Sequence, residues 1–244
     1  MARPFLLLTS RTEEVVAEDE FRNLPRIGGM LPGEAVRVRL EREPFPDLDL
    51  DDWSAIILCG SPFDAATPEE RKSERQRDVD AHLHALYDRL LDEDRPFLGI
   101  CYGMGTLTLH LGGSVDTSHG EEISPVALAV TPQGREDPLL EGVPDRFQAY
   151  VGHHEAASAL APGARLLVSG GTAPVQMIRA GAHVYATQFH PELDLAGIRV
   201  RIEEYADRGY YPVAERQRVE DAVAAANVAP AHAILRNFVR EFRR

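Results

Sequence analysis

At 244 residues the chain is long enough to bury a sizeable core, as one large domain or two small ones. Its 39 acidic and 26 basic residues give a formal charge of −13, which disfavours nucleic acid and anionic membrane as partners, because the charge that neutralises phosphate is missing. Two cysteines cannot form a disulfide framework, no spacing suggests a metal site, and no cofactor is expected.

The first apolar run, Phe5-Leu6-Leu7-Leu8, is too short for a signal sequence or a membrane span and reads as a buried strand. With no export signal, a reducing cytoplasm is the expected compartment. Residues 12–24 are polar and acidic and predict a water-facing helix. Pro25 to Gly33 contains Gly28, Gly29, Pro32 and Gly33, which predicts a loop. Ala35–Leu40 alternates Val36 and Val38 with Arg37 and Arg39, the pattern of a half-exposed strand. An acidic connection, Glu43–Asp52, leads to a second buried strand at Ala55–Cys59, with Cys59 in the core.

Thr67-Pro68-Glu69-Glu70 has the form of a capping box with proline at the first helical position, so a helix is expected to open there. Val79, Leu83, Leu86 and Leu90 supply its apolar face, and Asp94 and Pro96 end it. Phe97–Ile100 is a third buried strand, followed by a helix that stops at Gly112-Gly113. Buried strands alternating with helices predict an α/β fold, a flavodoxin-like three-layer sandwich with a mostly parallel central sheet covered on both faces. After Ser114 short strands take over, at Val126–Val130, Phe147–Val151, Arg165–Val168, Val175–Arg179 and His183–Gln188. Hairpin-like breaks at Gly170-Gly171 and Ala180-Gly181 make this a small antiparallel region. Helical patterns near 194–207, 213–226 and 231–242 form a C-terminal extension from about residue 193 to 244; the last has Ile234, Leu235, Phe238 and Phe242 on one side.

Three stretches carry chemistry. Gly99-Ile100-Cys101-Tyr102-Gly103, between a strand and a helix, has the small-x-nucleophile-x-small form of a nucleophile elbow. A sharp turn holds the nucleophile in a strained conformation that flanking side chains would obstruct, hence the glycines. The turn places the sulfur at a helix N-terminus, where the dipole favours thiolate and the next N–H can face an oxyanion. The local pattern also admits a buried structural cysteine. The second stretch, Val184–Glu192, is a strand ending in His190-Pro191-Glu192. Proline keeps His190 extended, residues i and i+2 point the same way, and Glu192 can reach round the imidazole to fix its tautomer. That is the order of a nucleophile, a base and an orienting acid; the alternative is a strand-end histidine beside a solvated acid. The third stretch, Leu58-Cys59-Gly60-Ser61-Pro62, is either an ordinary turn or a loop offering the N–H of Gly60 or Ser61 to an oxyanion, with Tyr102 as the other donor.

Together these stretches resemble the class I glutamine amidotransferase domain, the family of the glutaminase half of GMP synthase, over about residues 5–192. The similarity is greatest to stand-alone members, which also resemble the tail around Leu193–Tyr211, so a single such domain over 1–244 is expected. The resemblance implies that Cys101 attacks the side-chain amide of glutamine, that His190, oriented by Glu192, protonates the leaving ammonia, and that a glutamyl thioester is hydrolysed to glutamate. Gly60, Ser61, Tyr102 and Gly103 would serve the oxyanion or the substrate. His153, in Gly152-His153-His154-Glu155, matches a Ser-His-x-Asp-like segment lining the family's glutamine pocket; a surface histidine pair is the other reading.

Two departures stand out. The family commonly has Gln two residues after the second elbow glycine, and this chain has Gly105, which removes a side-chain hydrogen bond to the substrate. No synthetase domain is expected in the last 50 or so residues, which are too few for one. Any ammonia acceptor is therefore expected to be a separate chain, or the substrate another γ-glutamyl amide, as for a γ-glutamyl peptidase or hydrolase. Cysteine peptidases and chaperones on a similar sheet usually place His directly after the cysteine, where this chain has Tyr102. A non-catalytic amidotransferase-like binding protein is the remaining alternative.

Overall fold

The computed structural model describes residues 3–244; Met1 and Ala2, where the expected domain begins, lie outside the described residues. Five strands, β1 (Phe5–Thr9), β2 (Ala35–Arg39), β3 (Ala55–Leu58), β4 (Phe97–Ile100) and β11 (Val184–Thr187), pair in parallel in the order β2-β1-β3-β4-β11. The same sheet continues antiparallel through β10 (Met177–Ala180), β9 (Arg165–Gly170), β6 (Glu121–Val130) and β7 (Arg146–His153). A separate two-stranded antiparallel sheet joins β5 (Val115–Asp116) to β8 (Ala156–Ala157).

Among the described residues six helices cover this sheet: α1 (Glu14–Gly28), α2 (Glu74–Asp92), α3 (Tyr102–His110), α4 (Leu195–Glu204), α5 (Arg216–Ala225) and α6 (Ala229–Phe242). Strand alternation decides which helix meets which face. Phe5, Leu7, Ala55 and Ile57 pack with Leu24 and Ile27 of α1 and with Ile234, Leu235 and Phe238 of α6. Leu6, Leu8, Ile56 and Leu58 point the other way, against Val79, Leu83, Leu86 and Leu90 of α2 and Met104 and Leu107 of α3. A third cluster packs α4 and α5 on Ile123 and Tyr150. The Tyr150 hydroxyl donates to the Val223 carbonyl at 2.7 Å, tying β7 to α5.

Three expectations are corrected. The first helix does not end before Pro25: α1 runs through it to Gly28 and stops at Gly29, whose φ of 71° is the left-handed cap. Nor does α1 face only water, because Asp19, Glu20 and Asn23 are buried along with Val16 and Leu24. The capping box at Thr67 yields a single 3-10 turn, Glu69–Arg71. Helix α2 opens six residues later, where Ser73 accepts from the Gln76 N–H at 3.1 Å. Gln76 in turn donates from its side chain to the Asp64 carbonyl at 2.8 Å, which ties α2 to the loop after β3.

Candidate active site

The site lies where the parallel strands end, the usual place for function in open α/β sheets. Arg11 follows β1, Gly60 and Ser61 follow β3, Cys101 follows β4, and Gln188 and His190 follow β11. Cys101 has φ 54° and ψ −90°, a strained backbone for a residue with a Cβ, and its N–H donates to the Thr187 carbonyl at 2.7 Å. The elbow needs Gly99 because a Cβ there would lie 2.8 Å from the Gly103 carbonyl carbon. Gly103 is less constrained, with its own Cβ position at an ordinary 3.4 Å from Leu58.

Beside the elbow, the His190 N–H donates to the Tyr150 carbonyl at 3.0 Å, fixing its backbone between β11 and β7. His190 Nδ1 donates to Glu192 Oε1 at 2.7 Å, since a carboxylate can only accept, and this leaves Nε2 as the free basic nitrogen. Burial drives the His190 pKa below its ordinary value despite the pull of Glu192, and Arg201 and Arg11 add to the fall. Burial works to raise the Glu192 carboxyl, but contact with His190 and the charge of Arg201 outweigh it and bring it down to about 2. The pair is thus a neutral imidazole oriented by a carboxylate.

The expected thiolate at Cys101 is not what its surroundings favour. Burial pushes the thiol up to about 12, with Arg11 pulling it down and Glu192, Glu155 and Asp64 pushing it further. Burial is the largest cause and the nearby carboxylates oppose the pull of Arg11 and of the helix dipole, so these surroundings favour the thiol over the thiolate. Cys59, as expected, is core, 1 % exposed.

The donor loop is held from two sides. A Cβ on Gly60 would collide with the Arg11 guanidinium and come 3.1 Å from His190 Cε1. Ser61 turns its hydroxyl back to accept from the Phe63 N–H at 2.9 Å. Tyr102 points its side chain away to donate to Asp80, and its N–H belongs to the first turn of α3, where helix geometry supplies no internal acceptor. His153 lines the cleft, but both ring nitrogens are engaged, by the Glu155 carbonyl at 2.9 Å and by Glu121 Oε2 at 3.0 Å.

Two narrow clefts meet at Cys101. One is lined by Arg11, Arg201, His190 and Tyr205, the other by Asp64, Gly105, Glu155 and Gln188. Tyr210 belongs to both and stacks on His154, with centroids 4.3 Å apart, and on Tyr205, 5.2 Å apart. A roomier hollow of about 610 Å³, beside Phe45 and His82, contains none of these residues.

Several residues here have no motif to announce them. Glu20 of α1 accepts from Arg11 Nε and from Arg201 Nη2, each at 3.2 Å, and Arg201 Nη2 lies 3.7 Å from Glu192 Oε1. The one signal was a charge in an apolar stripe, since Glu20 falls between Val16, Leu24 and Ile27 on α1. Glu155 accepts from the Ala65 N–H and, at 3.0 Å, from the Ala66 N–H, clamping the donor loop to the end of β7. Gly105 faces Ala65 and Glu155, at 3.0 and 3.6 Å from its Cβ position, so Glu155 occupies space that a longer side chain at 105 would need. Among the described residues no cluster of three or more His, Cys, Asp or Glu is arranged to hold a metal ion, and no helix is long and apolar enough to cross a membrane.

The glutamine amidotransferase class-I family model matches residues 34–201, and the chain belongs to that family. It is 33% identical over 150 residues to the GMP synthase [glutamine-hydrolyzing] of Thermomicrobium roseum, a match covering 58% of this chain and 25% of that protein. With the same-named enzyme of Thermus thermophilus the identity is 29% over 173 residues, covering 70% of this chain and 29% of the relative. The matched region is thus about a quarter of these relatives' length. Among solved structures, a glutamine amidotransferase from Thermotoga maritima superposes with a TM-score of 0.76 at 21% identity, covering 98% of both chains. One from Methylobacillus flagellatus gives 0.73 at 17% identity, covering 100% of this chain and 97% of that one. At these identities the likeness establishes the fold.

Proposed function

We propose that this chain is a glutaminase with Cys101 as nucleophile, His190 as acid and base, and Glu192 as the group that orients it. The observation that carries the proposal is the 2.7 Å contact of His190 with Glu192 beside a cysteine held at φ 54°. Cys101 Sγ attacks the side-chain carbon of glutamine while its proton passes to His190 Nε2. The N–H groups of Tyr102 and of Gly60 or Ser61 receive the oxyanion. The carbon–nitrogen bond breaks, His190 returns the proton to the nitrogen, and ammonia leaves a glutamyl thioester. Water, losing its proton to His190, cleaves the thioester to glutamate and restores the thiol. The GMP synthases that match over a quarter of their length support an ammonia-accepting synthetase as partner.

Glu155 against Gly105 favours a second reading, in which the substrate is a γ-glutamyl amide other than glutamine. Ammonia and glutamate release from glutamine and from a panel of γ-glutamyl amides, with Cys101→Ala as control, tests both. Release from glutamine that the variant loses supports the first reading. Release from the panel alone supports the second. Full activity of Cys101→Ala would refute the mechanism.

A further inference from the structure

Gln188 takes no part in the chemistry just described, yet it stands at its centre. It follows β11 directly, level with Cys101, and its N–H donates to the Gln176 carbonyl at 2.8 Å. The residue is 2% exposed. Its side chain lines the cleft that holds Cys101, Gly105 and Glu155, with Nε2 3.9 Å from Cys101 Sγ. Its Oε1 has no hydrogen-bond partner. A buried amide oxygen without a donor is costly, so such a group points to a donor supplied by something else. The neighbouring carboxylate of Asp64 is an acceptor and cannot fill that role.

We propose that Gln188 is a substrate-positioning residue whose Oε1 accepts an N–H of the scissile carboxamide while Cys101 attacks the adjacent carbon. The inference rests on the glutaminase reading. No bond changes at Gln188: the N–H it holds stays on the nitrogen and leaves with it as ammonia. Held this way, the amide cannot rotate, and the nitrogen keeps its lone pair for the proton that His190 returns. An ester of the same acyl group has no N–H and gains nothing from the contact. Gln188 therefore selects amides over esters, which a purely structural residue would not do.

The experiment compares L-glutamine with the γ-methyl ester of L-glutamate, following glutamate release by wild type, Gln188→Met and Gln188→Glu. For Gln188→Met, kcat/KM on glutamine is expected to fall about 10- to 100-fold, as for loss of a buried hydrogen bond, and on the ester by no more than about threefold. Gln188→Glu keeps an acceptor oxygen at the same reach and is expected to hold the amide-to-ester ratio within about fivefold of wild type. Should the Met variant fail to fold, the Glu variant still decides: a ratio that collapses with the acceptor present overturns the inference. Equal losses on both substrates in Gln188→Met overturn it too, as does a wild type that cleaves the ester but not glutamine. A wild type inactive on both overturns the glutaminase reading itself.

Discussion

The two walls that flank Cys101 each hold a glutamate, buried at Glu192 and half-buried at Glu155, and they treat it in opposite ways. On the His190 side, Glu192 meets an imidazole at 2.7 Å and a guanidinium at 3.7 Å, and nearby Glu20 is shared by Arg11 and Arg201. On the other side, Glu155 shares its cleft with Asp64 and is met by the backbone N–H groups of Ala65 and Ala66. Glu192 is brought down to about 2, against the effect of its burial, whereas burial raises Glu155 to about 7, helped by Asp64. Burial and the charge of Asp64 outweigh the lowering by the two backbone N–H groups at Glu155.

The two walls accordingly respond to pH with opposite sign. The folded pKa of Glu192 lies below the ordinary 4.5, so its contribution to stability is present above 4.5 and lost as pH falls toward 2. The folded pKa of Glu155 lies above 4.5, so its contribution is present below that value and lost as pH rises through 7. One wall is fixed across the neutral range, and the other titrates within it.

The contrast can be broken at several points. The largest effect belongs to the sulfur between the walls: Cys101→Ala is expected to cut glutamine turnover by at least about a thousandfold while the far-UV circular dichroism stays unchanged. Next is Arg201→Met, which strips Glu20 and Glu192 of a common cation. A loss of about 3–5 kcal/mol in urea unfolding is expected, and an unchanged midpoint would show that the ionic wall is not what holds this side together. Matched glycine substitutions compare the walls directly. Gly60→Ala drives a methyl into Arg11 and His190 and is expected to cost about 1–3 kcal/mol. Gly105→Ala meets only Ala65 closely and gains helix propensity, so a change within about 1 kcal/mol is expected, and equal costs would contradict the contrast. The smallest effect is Glu155→Gln, a neutral mimic of the protonated acid. Its Tm relative to wild type should rise between about pH 5 and pH 8, and a flat difference would place Glu155 outside the neutral range.

Much of this architecture was legible in the chain. The apolar runs at Phe5–Leu8, Ala55–Leu58 and Phe97–Ile100 are the parallel strands, and Val79, Leu83, Leu86 and Leu90 are the buried face of α2. Cys101, His190 and Glu192 could be singled out because elbow sterics and the reach of Glu192 back to His190 act over a few residues, although the chain after His190 makes a turn and is not extended as expected. Helix starts were less secure. Thr67 carries the capping-box pattern but yields only a 3-10 turn, and the helix starts at Ser73, where Gln76 also reaches the Asp64 carbonyl.

The sequence by itself determined the alternation of strands and helices, the glycine elbow and the His-Pro-Glu terminus, because periodicity, chirality and local sterics are properties of neighbouring residues. Tertiary structure decided which charges meet. Glu20 on a helix that reads as water-facing is buried only because Arg11 arrives from β1 and Arg201 from α4, 181 residues away. It also decided that burial raises the Cys101 thiol, that Glu155 lies beside Gly105, and that Gln188 Oε1 is buried without a partner. Burial and electrostatic energy depend on what distant segments bring together, and no window of sequence contains that information.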